Sequence, residues 1–389
     1  MKKKKWLIYV ALIIVLIIAG CIFQALWKEN KKEQVETEKV LNLVVLDSGD
    51  YYHIDDGIDA GLKMAFDSLE ERFNLHVNLS VVDDEGDYVK GIALAKSLAA
   101  DPNVDIVMSF QNFDSIGPEA PFFEEAKKPF IVTMGCYDEV AESGYQYFIA
   151  DFMSGKTIGR EIGKNLQKNG AKNVALCHSD TRFEQDEIRG IQSQISQDDS
   201  VRVVHTQTGP FQVSELSELL LRCKQLSVDT VVANFYNQED CAWLLSMLSE
   251  SGQDLVLVGD YAIDSPDILR QYGTSLEGVS IIPNYPYTKS PILDEFIAEY
   301  EKTTGLEFSS VALQYYDLMA MIGAYWQVTG GRTDQVMKLV KKQDGYESIG
   351  GNIRFDANGC LSVEDAPVYI CKDGHFEPVE KDREKAATE

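Results

Sequence analysis

The chain has 389 residues, a length that fits two domains of ordinary size plus terminal segments better than one small domain. Hydrophobic residues make up 45% and charged residues 25%, which is the composition of a folded body rather than a disordered chain. The formal net charge is −26, and no stripe of Lys or Arg interrupts it, so nucleic acid is excluded as a partner.

The N-terminus has the pattern of a membrane-targeting segment. Lys2–Lys5 is basic, and Trp6–Ile18 is an uninterrupted apolar run. Ile18-Ala19-Gly20-Cys21 resembles a bacterial lipobox, in which Cys21 would carry the lipid. An uncleaved helix over Trp6–Trp27 is the alternative, since its 22 residues are enough for about 30 Å of hydrocarbon. A plain cleaved signal is a third. The first two alternatives tether the rest of the chain to the outer face of the cytoplasmic membrane.

After a polar linker over 28–39, for which a helical stalk is the alternative, apolar runs alternate with amphipathic patterns in two successive blocks. The first block predicts strands at 41–46, 77–82, 104–108 and 130–133, with helices over 58–73, 92–98 and 118–126. The second predicts strands at 174–177, 201–204, 230–233 and 255–258, with helices over 158–166, 185–195, 216–226 and 239–249. Such alternation predicts βαβ units and parallel sheets.

The last third of the sequence is mixed. It predicts a strand at 278–282, helices over 292–301 and 311–328, and a turn at 356–359 between short strands. We therefore predict an α/β fold of two doubly wound parallel-sheet lobes. Residues 1–27 form the signal or anchor, and 378–389 form a charged tail.

The seven cysteines and five histidines show no metal-binding spacing, because neither CxxC, HxxH nor HExxH occurs. GxSxG and GxGxxG are also absent, so we expect no enzymatic activity, no metal and no cofactor. Gly155-Lys156-Thr157 is similar to the end of a phosphate-binding loop, but Ala150 replaces the required first glycine, and we interpret the match as chance. Whether Cys360 and Cys371 pair stays open.

Four segments, spread over about residues 41–377, resemble the type I periplasmic binding proteins of the leucine/isoleucine/valine-binding group. They are Gly61-Leu62-Lys63-Met64-Ala65, Val81-Val82-Asp83-Asp84, Asp101-Pro102-Asn103-Val104-Asp105 and Gly350-Gly351-Asn352-Ile353-Arg354-Phe355-Asp356-Ala357-Asn358-Gly359. The last is the most specific, being similar to the family's G-x-I-x-F-D-x-x-G segment. The resemblance implies a clamshell whose lobes are joined by three crossings, near 149–153, 283–288 and 346–352. Lobe 1 would then take 41–150 and 284–345, and lobe 2 would take 151–283 and 346–377. Ligand would bind at the carboxyl ends of the strands, where loops and helix N-termini also converge.

The resemblance implies a membrane-anchored, extracytoplasmic solute-binding protein. Its ligand would be a small polar molecule, an amino acid or a related amine, captured for an ABC importer. The partner would be the membrane permease, and the protein would act as a monomer. The alternative is a receptor subunit that passes closure of the clamshell to a membrane signalling partner.

Relatives carry two small hydroxyl residues after the strand at 104–108, where they take a ligand carboxylate. This chain has Asn112 and Phe113 there, although Asn112 also suits a plain turn. A second family position, a threonine, is Cys136 here, with Thr133 nearby, and Cys136 is equally suited to a core thiol. A family tyrosine is replaced by Phe183.

Asp260 follows the strand at 255–258, where relatives place the acid that pairs with a ligand ammonium. The alternatives are that Asp260 caps the helix starting near Ser265 or simply faces water. Ser48 and Tyr51 follow the first strand, and Tyr236 follows the strand at 230–233, so all three are further candidate contacts. Exposed loop tyrosines without a role are the alternative for Tyr51. With the hydroxyl pair missing and the acid present, the sequence favours a cationic or amine-bearing ligand.

Overall fold

The structure is a computed structural model that describes residues 39–379 apart from 111–112, 134, 136, 198, 210–212, 343 and 364–365. The expected signal or anchor with Cys21, nearly all of the linker, nearly all of the charged tail, Asn112 and Cys136 lie outside the described residues. Across the described residues, no helix combines the length and apolar character needed to cross a membrane.

Five parallel strands form the first sheet, in the order β2-β1-β3-β4-β5. Side chains alternate across β1, so that Leu43 and Val45 join one apolar cluster and Val44 and Leu46 join another. Helices cover both faces as a result. The elements of this part are β1 (Lys39–Asp47), α1 (Asp56–Phe73), β2 (Leu75–Asp83), α2 (Tyr88–Ala100), β3 (Ile106–Phe110), α3 (Phe113–Ala126), β4 (Phe130–Val132), α4 (Asp138–Ala141) and β5 (Phe148–Ala150).

The second sheet has the order β14-β13-β10-β9-β8-β6-β7, parallel from β7 to β10 and antiparallel at β13 and β14. Its elements are α5 (Gly155–Lys168), β6 (Asn173–His178), α6 (Arg182–Ile195), β7 (Arg202–Thr208), α7 (Val213–Gln225), β8 (Thr230–Asn234), α8 (Gln238–Ser249), β9 (Val256–Gly259), α9 (Pro266–Tyr272), β10 (Ser280–Ile281), β13 (Tyr369–Lys372) and β14 (His375–Pro378). The two doubly wound parallel sheets confirm the predicted fold class.

Between β10 and β13 the chain returns to the first sheet. It forms α10 (Pro291–Thr304), α11 (Ser310–Thr329), α12 (Thr333–Val340) and the hairpin of β11 (Tyr346–Glu347) and β12 (Asn352–Ile353). Cys360 then pairs with Ala150 at the edge of β5. This pairing supports a third crossing after residue 361, whereas the resemblance implied one near 346–352. We accordingly propose that lobe 1 extends to residue 361, because the turn ending at Gly359 folds back onto β5.

Cys360 belongs to an apolar cluster on the first sheet and Cys371 to one on the second. The two cysteines do not form a disulfide.

Side chains on one turn of α11 form hydrogen bonds with the segments in which the chain passes between the lobes. Gln314 donates its amide to the carbonyl of Asp151, at 2.6 Å, just after β5. Asp317 accepts hydrogen bonds from the Tyr285 hydroxyl at 2.8 Å, the Ser348 hydroxyl at 2.9 Å and the Gly350 amide at 2.9 Å. Burial raises the pKa of Asp317, and these donors oppose that rise by stabilising its charge.

Glycines let α5 and α6 pack with their backbones in contact. A Cβ at Gly159 would overlap the carbonyl oxygen of Glu187, and one at Gly190 would overlap that of Lys156. This close approach sets the position of α6, which carries side chains into the space between the lobes.

We expect Gly159→Ala to destabilise the protein by about 1–3 kcal/mol, because the helices must separate to admit the methyl group. The measurement is the midpoint of urea unfolding. Gly117→Ala in α3 is the matched control, since its Cβ would lie 3.5 Å from Val140, an ordinary contact, and should be neutral or slightly stabilising. Equal midpoints for the two variants would contradict the close-packing argument.

A buried acid in lobe 1 makes stability depend on pH. Glu119 in α3 is 0% exposed, and neither carboxyl oxygen has a hydrogen-bond partner among the described residues. Burial, with a smaller contribution from Asp84, raises the pKa of Glu119 from 4.5 to about 8. Between these values the folded chain keeps a proton that the unfolded chain releases, so the free energy of unfolding falls as the pH rises and levels off above about 8.

Glu119→Gln should remove this part of the decline. The free energy of unfolding of the variant, relative to that of the parent protein, should increase by about 3–4 kcal/mol between pH 5 and pH 8.5, at about 1.4 kcal/mol for each unit of pKa shift. Denaturant unfolding at both pH values measures it. Glu125→Gln, at an exposed position of the same helix, controls for loss of a charge. A constant difference between Glu119→Gln and the parent protein at both pH values would refute the assignment.

Candidate functional site

A cavity of about 920 Å³ lies between the two lobes, at the carboxyl ends of the parallel strands. Lobe 1 contributes residues 51–58, Thr133 and parts of α10 and α11, and lobe 2 contributes residues that follow β6, β8 and β9. A larger cavity, of about 1300 Å³, lies along the crossings and is lined by residues 285–289, 350–354 and the β13–β14 hairpin. We assign the site to the first cavity, because loops from several strand ends converge there.

Asp260 lines this cavity directly after β9 and is 5% exposed. Its carboxylate accepts a hydrogen bond of 2.8 Å from the Ala262 amide and so caps the short 3₁₀ helix Tyr261–Ile263. Ser265 caps α9 instead, so Asp260 neither caps that helix nor faces bulk water, as the alternative interpretations would require. Burial raises the pKa of Asp260 to about 7.

Two further acids on α6 lie beside Asp260. Glu184 lines the cavity, is 3% exposed, and has one carboxyl oxygen without a partner among the described residues. Glu187 lies deeper, at 0% exposure, where one oxygen accepts a 2.8 Å hydrogen bond from the Asn234 amide and the other has no partner. Burial raises the pKa of Glu184 to about 7 and that of Glu187 well above its ordinary value, with the charge of Asp260 adding to the rise at Glu187.

Sequence reasoning missed Glu184 and Glu187, although α6 carried a signal. Both acids fall on the helical face that holds the buried Ile188, Ile191 and Ile195, at spacings of three and four residues. An acid on the apolar face of a helix predicts a buried carboxyl, which is costly unless it is paired or has a function.

The predicted aromatic residues are placed at the cavity. Phe183 is buried, lines the cavity and meets Phe152 edge-on, with 6.3 Å between ring centroids. Tyr51 of lobe 1 and Tyr236 of lobe 2 both line it, and the Tyr51 side chain hydrogen-bonds to Tyr236 across the cleft. That bond, followed by burial, raises the pKa of Tyr236 to about 12. These two tyrosines therefore lie opposite each other across the cleft.

A second bridge joins the lobes through Arg182, at the start of α6. Its guanidinium pairs with Glu139 of lobe 1, and its central carbon lies 4.4 Å from the centroid of the Tyr137 ring. The Tyr137 hydroxyl in turn donates to Asp114 at 3.0 Å. These contacts also hold the lobes together.

Thr133 lines the cavity and is buried, with its hydroxyl donating to the Ser109 carbonyl at 2.9 Å. Ser48 is buried after β1, and its side chain is not part of the described cavity lining. Asn112 and Cys136 lie outside the described residues.

The described lining of the cavity carries eight acidic residues and one arginine. The arginine, Arg270, already pairs with Asp267. The acids are Asp55, Asp56, Glu184, Glu239, Asp260, Asp264, Asp267 and Glu307. Their combined field attracts cations and repels anions within the cleft.

The sequence from residue 43 to residue 374 matches the family model described as periplasmic binding protein. The chain belongs to the periplasmic binding protein family. This confirms the resemblance that the sequence segments indicated. No curated protein matches the chain significantly.

Solved structures of similar fold agree. An ABC transporter substrate-binding protein from Desulfitobacterium hafniense, in complex with Leu, superposes with a TM-score of 0.74 at 16% identity, covering 88% of this chain and 100% of that one. A leucine-binding protein, LivK, from Thermotoga maritima gives 0.69 at 17% identity, covering 88% and 98%. An ABC transporter solute-binding protein from R. palustris, in complex with benzoate, gives 0.71 at 17% identity, covering 87% and 95%. At these identities the likeness establishes the fold of this periplasmic binding protein.

Proposed function

We propose that this protein is an extracytoplasmic solute-binding protein that captures an amino acid or a related amine and delivers it to an ABC permease. The proposal rests on Asp260, a buried carboxyl beside two other acids in the cleft between the lobes. A protonated amine placed there would supply the missing opposite charge and hydrogen-bond donors. The N-terminal segment would hold the two lobes at the outer face of the cytoplasmic membrane, through lipidated Cys21 or through a helix over 6–27.

The clamshell explains how capture and delivery are joined. Ligand in the cavity contacts both lobes, so it favours the closed state, in which Tyr51 meets Tyr236 and Arg182 meets Glu139. The three crossings absorb the opening motion. A permease that contacts both lobes would bind this closed form in preference to the open one.

The solved structures in complex with Leu and with benzoate show that the fold accommodates ligands with and without an amine. The acid cluster of this chain favours the amine, because an anion would meet the uncompensated carboxyls Glu184 and Asp260.

An amine-bearing ligand should raise the melting temperature of the purified full-length protein. At about 100 times its dissociation constant the ligand adds roughly 2.7 kcal/mol to the free energy of unfolding. The screen compares amino acids and amines with sugars, nucleosides and aromatic carboxylates. Asp260→Asn should abolish the shift.

Asp254→Asn is the matched control for this screen. It removes the same charge at an exposed position before β9, at the opposite end of the strand from Asp260, and should keep the shift. A shift produced only by ligands without an amine, or one that survives in Asp260→Asn, would refute the amine assignment.

Binding of the amine should tighten as the pH rises from 6 to 8. Asp260 has a pKa of about 7 and must lose its proton to pair with the amine, while the amine itself stays protonated in this range. We expect affinity to rise by up to about tenfold per unit below pH 7 and to level off above it. Calorimetric titration at several pH values measures this, and an affinity that falls with pH would contradict it.

A further inference from the structure

Glu184 places a buried carboxyl group at the cleft, and no family motif predicted this residue. It is nine-tenths or more buried, it lines the cavity, and one of its oxygens has no partner among the described residues. Its other polar contact is with its own backbone amide. A carboxyl group that lines a cavity and has an oxygen without a donor can accept a hydrogen bond from a ligand.

The charges around Glu184 leave it uncompensated. Asp260 and Glu187 are close enough that Glu184 acts on the charge of both, and the main influences on all three are burial, backbone amides, Asn234 and other acids. No lysine or arginine is among these influences. Glu187 lies behind the lining, so the two carboxyls that a ligand meets are Glu184 and Asp260.

Charge balance in the closed cleft then constrains the ligand. One ammonium neutralises one of these carboxylates and leaves the second either charged and unpaired in a closed cavity or protonated. A ligand with two positive nitrogens neutralises both. The cavity, at about 920 Å³, has room for such a ligand in extended form.

We propose that Glu184 and Asp260 form two cation-binding positions of one site, and that the ligand is an organic dication, with two basic nitrogens joined by a short aliphatic chain. This inference rests on the proposed function and narrows the class of amine. It makes Glu184 the residue that selects dications over monocations. The eight acids of the lining act in the same direction by concentrating dications in the cleft.

The test compares ligands that differ by one terminal ammonium. Calorimetric titration of the full-length protein with 1,5-diaminopentane against n-pentylamine, and with lysine against norleucine, isolates that group. In at least one pair, we expect the member with two ammonium groups to bind ten or more times more tightly than the member with one. Glu184→Gln should reduce this ratio to about 1–3 by weakening binding of the member with two ammonium groups, and Asp254→Asn, the exposed control, should leave the ratio unchanged.

Proton release gives a second readout. At pH 6 the Glu184 and Asp260 carboxyls, each with a pKa of about 7, are about nine-tenths protonated. A dication that ionises both should release nearly two protons, and a monocation nearly one, as measured in buffers of different ionisation enthalpy. In Glu184→Gln the dication should release nearly one.

The outcomes separate the two proposals. If monocations bind as tightly as their dicationic partners, the dication inference is overturned and the proposed function stands. If the dication is preferred but Glu184→Gln retains the preference, the assignment to Glu184 is wrong. If no amine of either kind binds, the proposed function fails, and this inference fails with it.

Discussion

The two lobes meet where they do because of one turn of helix α11. Gln314 and Asp317 lie three residues apart, hence on one face of the helix, and between them they hold Asp151, Tyr285 and the segment Ser348–Gly350. Asp317 is a buried charge with four donors, which is the condition under which burial of a carboxylate is tolerated. The depth and the walls of the cleft follow from this fixed base, since both lobes extend from it.

The acids of the cleft present the opposite case. Glu184 and Glu187 are as buried as Asp317, yet each retains a carboxyl oxygen without a donor. Burial raises the pKa values of both, and the charge of Glu184 adds to the rise at Glu187, so the free energy of unfolding falls as the pH rises. A bound cation that pairs with these carboxylates would stabilise the folded protein. In the proposed function, ligand binding would therefore be coupled to closure of the cleft.

Position and chemistry of the site come from different parts of the fold. The close backbone contact between α5 and α6, at Gly159 and Gly190, brings Glu184 and Glu187 towards β9. The capped turn after β9 places Asp260 beside them. Tyr51 and Tyr236 close the cavity from opposite lobes without taking part in the charge balance. Substitutions at Gly159 or Gly190 would therefore change ligand affinity although neither residue contacts the ligand.

The amino-acid sequence by itself determined the main strands and helices of both sheets, because the periods of apolar residues are local, but it did not predict β5, α4 or α12. It determined the family through ordered segments such as Gly350–Gly359. It also placed Asp260 and Tyr236 after strands, at the edge where a cleft forms. Only the tertiary structure decided that Glu184 and Glu187 join Asp260, that Ser48 lies outside the described lining, and that Cys360 pairs with Ala150 beside β5. These depend on contacts between residues far apart in the chain. Burial, and with it the charge of a carboxyl, is a property of packing that no local pattern contains.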